Sequence, residues 1–311
     1  MSLPLLVAAM VAATVVGVLA ERRWHGATER GSRTAMQVML TWVLPPVYFV
    51  LVTRLHVDGA VVGGVVTAYL VLAVIGLLAW WAATRLLRLS RPATGGLILA
   101  VVLANTGYFG LPFTRAMLGG DELGNAVAWD SFVSGPMFFA VAFAIGAAFS
   151  PTLGADGDDG RGERLRAFVR NPLLWSAIIG LAVPWDAPNW AYDVAQAFVV
   201  ALLPVGFLVV GVQLAAEAEH GVPVLPPRFT REIGVVVLLR LLVAPALVLA
   251  VSALLLDLPD GMLLQAVAPT GLNGMLVAHR FDLDLRPIAG AIVWTTGLVT
   301  LGAVVATLAG V

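Results

Sequence analysis

Two short polar clusters interrupt otherwise apolar stretches of this chain. Residues 105–110 read NTGYFG, residues 269–274 read PTGLNG, and both contain the pattern Thr-Gly-x-x-Gly. Glycine weakens a helix interior, and proline removes a backbone donor and clashes with the preceding turn. We therefore expect a helix to unwind at each cluster. The N-terminus of the half-helix after a break presents free N–H groups and a partial positive charge, which suits an anion or a polar solute.

The side chains in these clusters are the first candidates for solute binding. Asn105 and Asn273 carry carboxamides, which offer donors and an acceptor without the cost of a buried charge. The alternative is that each amide caps a half-helix or satisfies the unwound backbone. Thr106 and Thr270 are weaker candidates, since a threonine hydroxyl often bonds to its own helix. The remaining candidates are Gly107 and Gly271 through their backbone, Tyr108 through its ring, and the prolines at the two breaks, Pro112 and Pro269.

Two charged residues lie inside apolar runs. An intramembrane carboxylate is costly and marks a functional site by default, so Asp130 is a candidate for carrying a coupling proton. It lies at the outer interface instead if its helix begins late. Arg240 has three interpretations: it pairs with Asp130, it neutralises a substrate carboxylate, or it snorkels to the cytoplasmic face. The Asp-rich loop at residues 156–159 could be a metal motif, but no second carboxylate cluster completes a site, so no metal is predicted.

Composition places most of the chain in lipid. Of 311 residues, 60% are hydrophobic and only 12% are charged, with a mean hydropathy of +0.94. A soluble globule of this size cannot bury so much apolar surface. A net charge of -1 and the lack of a basic stripe exclude a nucleic-acid module. No phosphate-binding loop and no cofactor motif occur, and cysteine is absent, so no cofactor is predicted.

The apolar runs predict an all-α polytopic membrane protein with ten spans. The sixth run is short and ends among prolines, yet it is counted as a span. The runs are 3–20, 35–53, 60–83, 95–118, 125–149, 172–184, 191–216, 232–256, 259–279 and 287–310.

The arginines orient these spans. Fifteen of the 18 lie in the loops after odd-numbered spans, and Arg54 and Arg115 alone lie in the alternate loops. Cytoplasmic loops carry an excess of basic residues, so this alternation predicts that both termini are extracytoplasmic. The fifteen are Arg22, Arg23, Arg30, Arg33, Arg85, Arg88, Arg91, Arg161, Arg164, Arg166, Arg170, Arg228, Arg231, Arg280 and Arg286.

A Gly- and Asp-rich segment divides the chain into two halves of five spans. We predict a first repeat over residues 1–149, a cytoplasmic linker over 150–171 and a second repeat over 172–311. An odd number of spans in each half forces opposite orientations, which is the inverted repeat of many transporters. The spacing between a proline and the Thr-Gly-x-x-Gly cluster is similar in the two halves: Pro45 precedes Thr106 by 61 residues, and Pro204 precedes Thr270 by 66. We therefore expect the fourth and ninth spans to be broken and crossed.

These segments resemble the auxin efflux carrier family, whose bacterial members are identified as organic-acid permeases. The matching pieces are VLANTGYFGLPFTRAMLG (102–119), RLLVAP (240–245) and APTGLNGMLVAHRFDLD (268–284). The resemblance implies ten spans in two inverted repeats, a substrate asparagine at Asn105, and an elevator-like movement. It assigns spans 3–5 and 8–10 to the moving domain, and spans 1, 2, 6 and 7 to a scaffold that dimerises. The linker is short and the second cluster departs from the plant pattern, so auxin itself is not implied.

The sequence therefore predicts a secondary active or facilitative transporter of a small organic anion, not an enzyme. The expected partners are a small organic acid, the lipid bilayer, a coupling proton and a second copy of the chain, with no nucleic acid. The expected location is the plasma membrane. A cation-coupled antiporter or symporter, driven by H⁺ or Na⁺, is the first alternative. An intramembrane enzyme or a membrane sensor is more distant, since paired catalytic motifs are missing and a passive bundle gains nothing from broken helices.

Overall fold

The computed structural model describes residues 3–151, 169–219 and 228–308, with residues 162 and 166. Throughout these residues the secondary structure is helical, apart from one isolated β-bridge. Seven helices are long and apolar enough to cross a membrane, and two shorter helices are also apolar. The chain is therefore a polytopic membrane protein. Most of the predicted linker lies outside the described residues.

Twelve helices carry the described part of the chain. The first six are α1 Leu3–Trp24, α2 Ala27–Val52, α3 Gly59–Leu86, α4 Arg91–Val102, α5 Leu111–Met117 and α6 Leu123–Phe149. The other six are α7 Pro172–Ala182, α8 Asn189–Glu219, α9 Arg231–Leu254, α10 Asp260–Ala266, α11 Asn273–Arg280 and α12 Arg286–Leu308. Each predicted apolar run contains one helix or, for the fourth and ninth runs, two.

Helix α2 differs most from the hydropathy pattern. It begins at Ala27, whereas the apolar run begins at residue 35. The added turns are polar, and an ion pair at 2.5 Å joins Arg33 to Glu29 one turn earlier. Such (i, i+4) pairs support a helix without apolar residues. The loop expected after the first span is therefore short, and Arg30 and Arg33 lie on a helix.

Prolines account for most of the irregular turns. Four of the six π-helical turns in the described residues end two positions before a proline, at Pro45, Pro112, Pro136 and Pro245. A proline inside a helix cannot donate to the carbonyl four residues earlier, so the helix widens there. For Pro136 the freed carbonyl is that of Phe132, and the Tyr69 hydroxyl of α3 donates to it at 2.6 Å. A neighbouring helix thus satisfies the backbone group, as a membrane interior demands.

The helices pack into two groups. Helix α1 lies along α8, and α2 contacts both α7 and α8. The approach of α1 to α8 is close, because a Cβ atom on Gly211 would lie 2.1 Å from the Thr14 carbonyl oxygen. In the second group, α3 packs on α9, α4 on α12, and α6 on α10 and α11. The two groups meet where α2 contacts α6 and α8 contacts α5.

Two interrupted segments cross inside the second group. Helix α4 ends at Val102 with an extended residue at Leu103, and a π-helical turn over Thr106–Gly110 leads into α5. Residues 267–272 likewise separate α10 from α11. The backbone N–H of Asn105 donates to Pro269 O at 2.8 Å, and that of Gly271 donates to Leu103 O at 2.9 Å. The two breaks therefore satisfy one another's backbone through a short antiparallel bridge between Ala104 and Thr270.

Candidate functional site

A cavity of about 660 Å³ opens beside the crossing. Both breaks line it, together with α2, α6 and α9, and it extends to residues 170–174 at the start of α7. Apolar side chains form much of the wall, including Leu72, Trp129 and Phe138. The polar lining includes the sequence-predicted residues Asn105, Thr106, Gly107, Tyr108, Asp130, Arg240, Gly271 and Asn273. Other polar residues of the lining are Gln37, Thr41, Tyr48, Ser131, Ser134, Arg170 and Asn171. Concave, mostly apolar pockets with a few convergent polar groups are typical of ligand sites.

The two asparagines line the cavity without capping a helix. Asn105 precedes the turn that leads into α5, and no capping hydrogen bond is made by its side chain. Asn273 is the first residue of α11 and is exposed. Within the described part of the chain, neither carboxamide has a protein hydrogen-bond partner. The capping role that sequence left open is therefore not formed here, and both amides are available to a solute.

Asp130 is held by two neutral hydroxyls. Tyr48 of α2 donates to Oδ2 at 2.6 Å, and Thr106 at the first break donates to Oδ1. Ser134, one turn further along α6, lies 2.8 Å from Thr106 Oγ1. The carboxylate thus lies inside the bundle, on a π-helical turn that begins at Asp130 itself. Such turns occur often at functional sites.

Arg240 is buried on α9, with 2% of its surface exposed. Its Nε donates to Ala268 O at 2.9 Å, a carbonyl at the second break. Asp130 and Arg240 line the same cavity but use different partners, and the described residues include no ion pair between them. The structure therefore does not bring these two charges together. Nor does Arg240 snorkel, since its side chain is enclosed.

Three other predicted residues support the crossing rather than line the cavity. Thr270 is fully buried, and its hydroxyl donates to Ala100 O at 2.9 Å while its backbone N–H donates to Thr295 Oγ1 at 3.0 Å. Pro269 supplies the carbonyl that receives the Asn105 N–H. Pro112 lies two residues after the π-helical turn that leads into α5, where its missing backbone donor accompanies the widened turn.

Sequence reasoning missed Tyr48 and Ser134. Tyr48 lies in the apolar C-terminal part of α2, three residues after Pro45, and Ser134 lies one turn after Asp130. The (i, i+4) spacing of Asp130 and Ser134 was a visible signal for a shared polar face. Tyr48 had no such signal, because its partner is 82 residues away in the sequence.

Metal ligands do not converge in the part of the chain that the structure describes. There, no group of three or more His, Asp or Glu side chains could hold an ion. The Asp-rich stretch of the linker falls outside the described residues. The polar groups of the cavity are instead amides, hydroxyls, one carboxylate and two guanidinium groups, those of Arg170 and Arg240, which can bind a polar organic solute by hydrogen bonds and charge.

Comparison with protein families gives a match over the C-terminal part of the chain. Residues 163–307 match the model of a family described as membrane transport protein. This range contains Arg240 and the whole second cluster, and it covers α7 to α11 and nearly all of α12. No curated protein sequence matches the chain.

Proposed function

Because the chain belongs, over residues 163–307, to the membrane transport protein family of the auxin efflux carriers, we propose that it carries a small organic anion across the membrane. The transport is secondary active or facilitative, and the chain is not an enzyme. The observation that carries this proposal is the crossing of two broken helices beside a cavity lined by two unpartnered asparagine side chains. Unwound backbone inside a membrane is tolerated where it lines a cavity.

The proposed architecture is ten transmembrane segments in two inverted repeats. Helices α4 with α5 form the fourth segment, and α10 with α11 form the ninth. Packing supports the repeat. The first segment packs on the seventh, and the second packs on the sixth. In a five-plus-five repeat the first and second segments correspond to the sixth and seventh, so the repeat maps one of these contacts onto the other. In the register that aligns Thr106 with Thr270, Asn105 aligns with Pro269, and these two residues are joined across the crossing.

An elevator mechanism fits the two packing groups. The scaffold would contain α1, α2, α7 and α8, and the moving domain would contain α3 to α6 and α9 to α12. The cavity reaches the start of α7, which the arginine pattern assigns to the cytoplasmic side. These features support an inward-facing state of a plasma-membrane protein whose termini are extracytoplasmic. By the family resemblance, we expect the scaffold to form a homodimer.

Solute binding would use the asparagines and the half-helix N-termini. The Asn105 and Asn273 amides can each donate to a carboxylate oxygen. The first turns after Asn105 and at α11 begin at the cavity, where the helix dipole favours negative charge. Tyr108 and Trp129 would face the carbon skeleton of the solute.

A cation-coupled carrier is the second candidate, and Asp130 favours it. The carboxylate lines the cavity and has only neutral hydrogen-bond partners. A proton or a sodium ion at Asp130 would remove its charge as the anion is carried. Coupling by symport or antiport therefore requires that a proton or a sodium ion bind this carboxylate during transport.

The test is transport by the purified protein in proteoliposomes. Charge movement and counterflow of radiolabelled acid would be measured for malate, malonate, succinate, pyruvate and indole-3-acetate. We expect saturable transport of at least one acid and its loss in Asn105→Ala and Asn273→Ala. Asn125→Ala is the matched control, since Asn125 lies outside the cavity and bonds to Glu122. Counterflow unchanged in both cavity variants would refute the proposed site.

A further inference from the structure

Arg240 presents a buried positive charge that no carboxylate compensates. Among the residues that the structure describes, none of the acidic side chains forms an ion pair with it, and its Nε alone has an acceptor. Removing a charge from water without a partner is costly, and buried charges are normally paired. The cost is greater within a membrane.

The guanidinium is positioned to receive a ligand. Its Nε–H is bound to Ala268 O, at the second break. This bond fixes the plane of the guanidinium and leaves its two terminal nitrogens without a protein acceptor in the described chain. The residue lines the same cavity as Asn105 and Asn273. A guanidinium fork binds the two oxygens of one carboxylate with matching geometry.

Asp130 does not serve as the counter-charge. Tyr48 and Thr106 already donate to its two oxygens. No other acidic residue lines the cavity, so the described wall offers no further anion to Arg240. The missing negative charge must then come from the occupant of the cavity.

We infer that Arg240 is the anchor for a carboxylate group of the transported solute, with its end nitrogens binding that group and Ala268 holding the guanidinium in place. This inference rests on the proposed function and deepens it, because it assigns the selectivity for anions to one side chain. A neutral amide of the same carbon skeleton would lack the charge that Arg240 requires.

Thermal unfolding of the purified protein tests this inference with simple probes. Acetate, malonate and succinate would be titrated at constant ionic strength, against acetamide and malonamide. We expect the acids to raise the unfolding temperature of the wild type and the amides to leave it unchanged. In Arg240→Gln, we expect the affinity for the acids to fall by about tenfold to a hundredfold, the effect typical of losing a charged hydrogen bond.

Two further variants separate binding from folding. Arg240→Lys retains the positive charge and should retain part of the response to the acids. Arg91→Gln is the matched control, since Arg91 also donates to a backbone carbonyl, that of Ala148, but lies outside the cavity. Without ligand, Arg240→Gln should unfold no earlier than the wild type, because it removes an unpaired buried charge.

The outcomes distinguish this inference from the proposed function. An unchanged acid response in Arg240→Gln would overturn the inference, as would a wild type that responds to none of the acids or equally to the amides. If an acid is transported and Arg240→Gln still binds it normally, transport stands and the anchor is wrong. If acids bind through Arg240 but none is carried in proteoliposomes, the anchor stands and the transport proposal fails.

Discussion

The Tyr48 hydroxyl donates a 2.6 Å hydrogen bond to Oδ2 of Asp130. This bond joins the two packing groups, since Tyr48 lies on α2 and Asp130 on α6. If α6 slides against α2 during transport, the bond must break and form again in each cycle. The same movement would expose the carboxylate to a different environment, which is what a coupling site requires.

Replacing Asp130 should uncouple transport from the proton gradient. In Asp130→Asn, we expect counterflow of a transported acid to persist, while accumulation driven by a pH gradient is lost. A single coupled proton can drive about tenfold accumulation per pH unit, so the loss is measurable by radiolabel uptake. Tyr48→Phe keeps the carboxylate and should keep the gradient response, with a changed rate.

The control for this experiment is Asp193→Asn. Asp193 lies on α8 and lines a separate small pocket with Arg115 and Gln196. Its replacement should leave the gradient response intact. Gradient-driven accumulation that survives in Asp130→Asn would show that coupling does not use this carboxylate.

Tyr69 should stabilise the kink of α6. Its hydroxyl donates to the Phe132 carbonyl, which lies four residues before Pro136 and so receives no hydrogen bond from residue 136. Tyr69→Phe should lower the free energy of unfolding by about 1–2 kcal/mol, because a polar group is left unsatisfied in an apolar interior. Denaturation in mixed micelles, followed by circular dichroism, would measure this change.

A double mutant tests the cause of that effect. Pro136→Ala restores the backbone donor, so Tyr69→Phe should cost much less in that background. The matched control is Tyr108→Phe, since the Tyr108 hydroxyl is buried without a partner in the described structure. Equal losses in both backgrounds would contradict the proposed link between Pro136 and Tyr69.

Sequence predicted the helices of this chain better than the contacts between them. Apolar runs reveal lipid-facing helices directly, but the polar start of α2 escaped because residues 27–34 carry no apolar signal. The two clusters marked the breaks correctly, since glycine and proline act on the local backbone. Thr270 was placed among the binding residues, yet its hydroxyl bonds to Ala100, 170 residues away in the sequence. Long-range partners of this kind have no local pattern.

Charged residues show the same limit. Sequence identified Asp130 and Arg240 as intramembrane charges and offered their pairing as one interpretation. Opposite charges in one apolar environment should attract, but the fold gives each a nearer partner, at Tyr48 and Ala268 respectively. The position of a guanidinium along its helix is readable from sequence, whereas the direction of a long side chain depends on packing.

The crossing should not tolerate a side chain at Gly271. A Cβ atom there would lie 2.8 Å from Ala104 O and 3.1 Å from Asn105 N. Both are backbone atoms, so neither can move away without moving the whole first break. Gly271→Ala should therefore force the two breaks apart and lower the free energy of unfolding by about 1–3 kcal/mol. Transport should fall as well, because Asn105 would shift from its place.

Gly297→Ala is the control for this substitution. Gly297 lies on α12 with nothing within 4 Å of an added Cβ atom. This substitution should not lower the free energy of unfolding, and it should raise it by about 0.5–1 kcal/mol because alanine favours a helix over glycine. Similar losses in both variants would mean that the close contact at the crossing is not what limits residue 271.

The absence of cysteine from the sequence allows a direct test of the proposed orientation. Single cysteines at Val57 and Leu255, which are exposed in loops after the second and eighth segments, should react with a membrane-impermeant maleimide on intact cells. Cysteines at Arg33 and Arg85, both exposed, should react only after permeabilisation. The physical reason is the retention of arginine-rich segments, including helix ends, in the cytoplasm. Labelling of Val57→Cys and Leu255→Cys from opposite sides would refute ten segments in inverted halves, because both loops follow even-numbered segments.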